Sequence, residues 1–260
     1  MNFIKISLCF FVGLLLNTVN GQSDECNYLH QTIYNELQRI EKFQRQSIDS
    51  GISMYDSLKP SSETLKQAIT KWIEMGGFQT CPLAEHVNLK IVVSSDLNMV
   101  GVSWNTYNGG TMPDIASIIG YQAVDHTFKA KRMESVFQGT IENDKSRIDK
   151  IYTIKNKLKE NIYLVAKSGQ GSLATPYFGM TAYKLGAVML EVPIFENSSN
   201  LEVDFDYTNH PKTVVPDNLT GIQFLQKGMY VRRPISEKNG TFNGRFEIYK
   251  FDGLKYRRIK

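Results

Sequence analysis

The sequence predicts an α+β protein, an N-terminal helical hairpin followed by a large antiparallel β meander. Three observations carry this reading. Apolar residues recur at helical spacing up to about residue 76, and short runs with strand-like alternation replace them after Cys81-Pro82. Most intervals between those runs are too short to hold a crossover helix, so the strands pair antiparallel.

The chain opens MNFIKISLCFFVGLLLNTVNG, the pattern of a secretory signal peptide over residues 1–21. Lys5 is the positive flank, Ile6 to Leu16 the apolar run, and Val19-Asn20-Gly21 the cleavage site, with cutting after Gly21. The run is about 11 residues, short of the roughly 20 needed to cross a bilayer. Neither Cys9 nor Cys26 has the small-residue context of a lipid-attachment site. The expected product starts at Gln22, is soluble, and is secreted or periplasmic. No later stretch is long and apolar enough to predict a transmembrane segment.

Residues 22–81 read as the hairpin. Leu29, Ile33, Leu37, Ile40 and Phe43 fall at spacings of four, four, three and three, one stripe of a helix over 25–49 that Gly51 ends. Pro60-Ser61-Ser62-Glu63 predicts the start of a second helix, with Ser61 as N-cap and Glu63 in the first turn. Leu65, Ile69, Trp72 and Ile73 form its apolar stripe, and Gly76-Gly77 ends it. Helices joined by a short loop pack antiparallel, which brings Cys26 and Cys81 to the same end. Without Cys9 these are the only cysteines, and in an oxidising compartment a disulfide is expected. They lack CxxC spacing and a neighbouring histidine pair, so no metal site is predicted. Closing that loop stabilises the fold by about 4 kcal/mol on the chain-entropy argument.

Residues 82–260 read as the β domain. Its runs are LKIVVSS, MVGVSW, SIIGYQA, SVFQGTI, KIYTIKN, NIYLVAKS, MTAYKLGAVML, LEVDFDY, IQFLQKGMYVRR, RFEIYKF and KYRRI. Turn chemistry separates them at Asn156–Asn161, Gly169–Gly171, Asn239-Gly240 and Asp252-Gly253. So many short strands do not stay flat, and the expectation is a curled sheet, a barrel or two packed sheets. There is no fixed repeat of the kind a propeller needs.

Net charge is +4, or +3 without Lys5, and no basic face carries interleaved aromatics, so no nucleic-acid partner is predicted. The closing KYRRIK reads as a solvated last strand. Asn197, Asn218 and Asn239 head Asn-X-Ser/Thr tripeptides, but 18 asparagines give about two or three of these by chance, so they are not evidence of glycosylation.

No catalytic set assembles along the chain and no cofactor motif is present. There is no GxSxG, and SGQGS at 168–172 follows a strand with no helix behind it, a loop rather than a phosphate cradle. His30, His86, His126 and His210 do not pair at metal spacing, and a Cys81–His86 dyad would need a reduced thiol. A hydrolase with a site drawn from distant loops would use Asp125, His126, Asp204, Asp206 and His210.

The segment VSWNTYNGGTM at 102–112 is the strongest candidate for ligand contact. Val100, Val102 and Trp104 face one side of a strand, and Gly101, Ser103 and Asn105 the other. Asn108-Gly109-Gly110 permits a turn, flanked by two rings with polar handles. Trp104, Asn105, Tyr107 and Thr111 are the predicted ligand-binding residues. The competing expectation places Trp104 in the core and packs Tyr107 on the turn.

SWNTYNGGTM, then IIGYQ, IYTIK…IYLVAKSGQGS and the closing EIYKFDGLKYRRI, resembles a group of uncharacterised exported β-rich proteins of Gram-negative bacteria, over about residues 99–260. Pro113 departs from the polar residue expected there. The resemblance implies a periplasmic or surface location and a β-rich fold, and no reaction. The expected function is therefore a non-enzymatic binding module of the envelope or exterior, taking a small molecule or a protein. The alternatives are the hydrolase above and a structural or inhibitory partner that uses an exposed sheet face.

Overall fold

In the computed structural model, residues 4–50, 55–107, 114–137, 140–143, 145–170, 175–196, 198–205 and 221–259 are described. They divide into two units, 1–83 and 84–260.

The first unit is helical. α1 (Ile4–Ser50) contains the predicted 25–49 helix and starts well before it, within the segment expected to be a leader. Leu29, Ile33, Leu37 and Ile40 are buried, as the stripe requires, and Phe43 is half-buried. α1 packs on α2 (Tyr55–Glu74), whose Leu65, Ile69, Trp72 and Ile73 are fully buried. α2 starts earlier than Ser61, so Pro60 lies inside it and Asp56, not Glu63, sits in its first turn. Pro60 lacks an N–H and gives up one bond to the preceding turn, a small loss this near the N-terminus, and its fixed φ suits a helix. Ser61 is buried rather than acting as the cap. Gly76 takes φ 75° and donates to Ile73 O at 2.9 Å, a left-handed stop after which α3 (Gly77–Thr80) makes one turn. The hairpin is closed by the Cys26–Cys81 disulfide, with Cα atoms 6.2 Å apart.

The second unit is built of antiparallel sheets. β1 (Leu89–Val93), β2 (Met99–Asn105), β3 (Ile115–Gln122) and β4 (Phe128–Arg132) form the first in that order. β5 (Glu134–Phe137) and β6 (Thr140–Asn143) are a separate hairpin. β7 (Ser146–Lys155), β8 (Asn161–Gln170) and β9 (Pro176–Leu185) form the second main sheet. β10 (Met189–Glu191) and β11 (Asn200–Asp204) both pair with β9, β10 along 183–185 and β11 along 177–181. β12 (Gln223–Leu225), β13 (Tyr230–Ser236), β14 (Phe242–Phe251) and β15 (Tyr256–Arg258) form the third. No barrel closes among the described residues.

The second sheet lies between the other two and is apolar on both faces. Tyr163 and Val165 of β8 join Met99, Ile119 and Tyr121 of the first sheet in one core. Ile162 and Leu164 join Val231, Tyr249 and Tyr256 of the third sheet in another. This explains why IYLVA in β8 reads as a continuous apolar run.

Three predicted runs turn out to be hairpins: SVFQGTI is β5–β6, MTAYKLGAVML is β9–β10 and IQFLQKGMYVRR is β12–β13. The sequence reading had no strand at β4, because FKAKR on a sheet edge has little apolar content. Gly169 lies inside β8 rather than in a turn, and Gly171 is outside the described residues. The other turn signals hold. Asn156 Oδ1 accepts the N–H groups of Leu158 and Glu160, and Asp252 Oδ1 those of Leu254 and Lys255.

Candidate functional site

The β1–β2 hairpin is anchored at its turn and opens into a cleft at its other end. At the turn, Asp96 accepts hydrogen bonds from Ser94 Oγ at 2.7 Å and Tyr163 Oη at 2.7 Å, and from Asn161 Nδ2 at 3.0 Å. Burial pushes its pKa up, but the bonds from Tyr163, Ser94 and Asn98 outweigh this and hold it below the usual carboxylate value. Burial and the adjacent carboxylate push Tyr163 up to about 12. These contacts pin the hairpin to β8.

Along the hairpin, β7 crosses β2 closely. A Cβ on Gly101 would lie 2.6 Å from Ile148 Cγ2, so this approach requires glycine. Next to it the Ser103 hydroxyl is buried, accepts the Ile148 N–H at 2.9 Å and lies 2.8 Å from Ser117 Oγ, which donates to Ser146 O. Ser103 is thus committed to joining the sheets.

At the open end is a cleft of about 540 Å³, within the ~300–1,000 Å³ typical of ligand sites. One wall is the segment 85–91, which leads into β1; Ser103 to Asn105 and Ile115 form the other, and Arg147 reaches in from β7. The register Leu89↔Trp104 and Lys90↔Ser103 sets the two walls against each other. Leu89, Ile91, Trp104 and Ile115 supply apolar surface, and Asn88 and Asn105 supply amides. Lys90 and Arg147 share one acceptor, Asp149 Oδ1, at 2.8 and 3.0 Å, so two cations meet a single carboxylate there.

Trp104 answers the question of core versus cleft with both. It is 2% exposed, it lines the cleft, and its indole N–H is buried without an acceptor among the described residues. Asn105 Oδ1 accepts the Tyr107 N–H at 2.9 Å, and Tyr107 Oη donates to Asn88 Oδ1 at 2.9 Å. Tyr107 has φ 58°, a left-handed conformation that costs a non-glycine residue about 1 kcal/mol or more. Thr106 N–H donates to Asp114 O at 2.7 Å and closes the base of the loop. Thr111 lies outside the described residues.

Of the hydrolase candidates, the three that are described, Asp125, His126 and Asp204, are not joined by hydrogen bonds. Asp125 and His126 are exposed in the β3–β4 turn, where Asp125 Oδ1 accepts from Thr127. Asp204 is exposed at the end of β11, and no hydrogen bond among the described residues joins it to Asp125 or His126. Asp206 and His210 lie outside the described residues. Asn88, Lys90 and Arg147 are cleft residues that the sequence reading did not single out. Lys90 was recoverable by pairing the two runs about the Ser94–Asn98 turn. Arg147 was not, because it arrives from another sheet.

No protein-family model matches this chain, and no curated protein or solved structure matches it. Among the described residues no helix is long and apolar enough to cross a membrane, and the disulfide is consistent with an oxidising compartment.

Proposed function

We propose that this is an exported, non-enzymatic binding protein whose cleft at the β1–β2 edge takes a small, partly apolar molecule carrying a hydrogen-bond acceptor. The observation that carries the reading is Trp104, which lines that cleft and whose buried N–H has no acceptor among the described residues. An unsatisfied buried donor costs about 1–3 kcal/mol, which a ligand oxygen offsets on binding. The strained Tyr107, which donates to the cleft residue Asn88 without itself lining the cleft, supports it as well, since such strain concentrates at ligand clamps. Export rests on the leader pattern of residues 1–21 together with the disulfide, and the resemblance of residues 99–260 to exported β-rich proteins agrees with it.

The reading is tested by screening small carboxylates, amides and saccharides against the mature chain by calorimetry. Binders are expected, and the double variant Trp104→Phe, Tyr107→Ala should lose them by tenfold or more with unchanged circular dichroism. Binding that is unchanged in a folded double variant would sink the assignment.

A further inference from the structure

We infer that the Cys26–Cys81 disulfide and His30 form the oxidised state of a thiolate–imidazole metal site, which takes a zinc-class divalent cation when the two sulfurs are reduced. Cys26 and His30 are four residues apart on α1, so both side chains leave the same face of the helix. Cys81 comes to that face from just beyond α3. His30 Nε2 lies 3.7 Å from Cys26 Sγ and 3.4 Å from Cys81 Sγ. The three donor atoms lie within 4.8 Å of one another.

These distances already suit a metal. With Zn–S of about 2.3 Å, Zn–N of about 2.05 Å and tetrahedral angles, nitrogen and sulfur ligands sit about 3.6 Å apart and two sulfurs about 3.8 Å apart. Both nitrogen–sulfur separations therefore need almost no change. Only the sulfurs must part, and rotation about the two Cα–Cβ bonds, from Cα atoms 6.2 Å apart, provides that. Two thiolates and an imidazole are the donor set of a borderline-soft cation, and three protein ligands leave a fourth position open to solvent.

The hydrogen bonding permits the exchange. In the disulfide form His30 Nε2 lies 3.0 Å from Cys81 O, a carbonyl that can only accept, so Nε2 carries the hydrogen. Turning the Nε2 lone pair to a metal needs the other tautomer and releases that carbonyl. Trp72 Nε1 also donates to Cys81 O, at 2.9 Å, so the oxygen keeps a partner. In the forward step a dithiol or phosphine reductant supplies two electrons and is itself oxidised, the S–S bond breaks, and two thiols form. The cation then displaces the two thiol protons to solvent.

The test uses the mature chain, reduced with a phosphine under anaerobic conditions and titrated with Co²⁺ and then Zn²⁺. The expected result is one Co²⁺ per chain, with tetrahedral ligand-field bands and a near-ultraviolet thiolate charge-transfer band, both lost when Zn²⁺ displaces it. His30→Ala is expected to weaken binding by at least about tenfold, and Cys81→Ser to remove most of the charge-transfer intensity. If reduction melts the helices, Zn²⁺ is expected to restore their circular dichroism. The inference is overturned by the absence of a thiolate band, by affinity that is unchanged in His30→Ala, or by a melted hairpin that Zn²⁺ does not refold.

Discussion

The chain has two tryptophans, one in each unit, and their surroundings differ in one respect. Trp72 of the helical hairpin is 0% exposed, packs edge-on to Phe78 and donates its indole N–H to Cys81 O. Trp104 at the β1–β2 edge is almost as buried, yet its N–H has no acceptor among the described residues. The first region satisfies its tryptophan through Cys81 O, beside a disulfide and a left-handed helix stop, and its one buried side-chain atom without a partner among the described residues is Glu36 Oε2 on α1. The second is satisfied at its Asp96 turn and left incomplete at the cleft. A buried polar group without a partner is costly, so such groups concentrate where something else supplies the partner.

The largest expected effect breaks the self-contained region. Replacing Cys26 and Cys81 together by serine is expected to lower stability by about 4 kcal/mol, from the loop entropy returned to the unfolded chain. Urea unfolding followed by far-ultraviolet circular dichroism measures it. A loss under about 1 kcal/mol would mean that the staple contributes little.

Next is the comparison itself. Trp72→Phe and Trp104→Phe remove similar volume from buried sites, but the first breaks a hydrogen bond to Cys81 O, which keeps only His30 Nε2, and the second removes a buried donor with no acceptor among the described residues. Trp72→Phe is expected to cost about 1–3 kcal/mol more than Trp104→Phe. Equal losses in the two unfolding curves would mean that the Trp104 N–H is satisfied in solution.

Gly101→Ala sharpens the geometry of the cleft. Its methyl meets the β-branched Ile148, so about 2 kcal/mol of overpacking is expected. β7 should shift, moving Arg147 from the cleft and weakening any anionic ligand found there. A variant as stable as the parent would contradict the close approach.

The smallest effect is at the other end of the hairpin. Asp96 is held below its ordinary pKa of 3.8 because the Tyr163, Ser94 and Asn98 bonds outweigh its burial. A depressed carboxylate contributes stability that is present above its unfolded pKa and is lost as pH falls through the folded one. The parent should therefore lose stability below about pH 3.8, and Asp96→Asn should lose less over the same interval. Identical acid limbs would remove Asp96 from the account.

The helical hairpin was the more legible region. Its stripe residues, its Gly76 stop and its disulfide follow from local periodicity and from cysteine placement, which a sequence displays directly. The start of α2 did not follow, because Pro60 inside a helix imitates a helix start. In the β unit, strand texture and most turns were legible. Paired short strands inside one run were not, since a hairpin with a tight turn reads like one longer strand. The sequence marked Trp104, Asn105 and Tyr107 through their residue types. It did not reveal the orphan N–H or Arg147, because both depend on which sheet lies beside β2. His30 was discounted for the same reason: only the fold brings Cys81 to a histidine on α1.

On the proposed function the Trp104 N–H is completed by a ligand acceptor, whereas the Trp72 N–H is already bound to Cys81 O. This is tested on the pair of indole N–H resonances of ¹⁵N-tryptophan-labelled residues 22–260, followed during titration with the small molecules that calorimetry identifies. The Trp104 resonance is expected to move downfield and its hydrogen exchange to slow, while the Trp72 resonance stays in place. Ligands that bind and leave the Trp104 resonance where it was would contradict this reading.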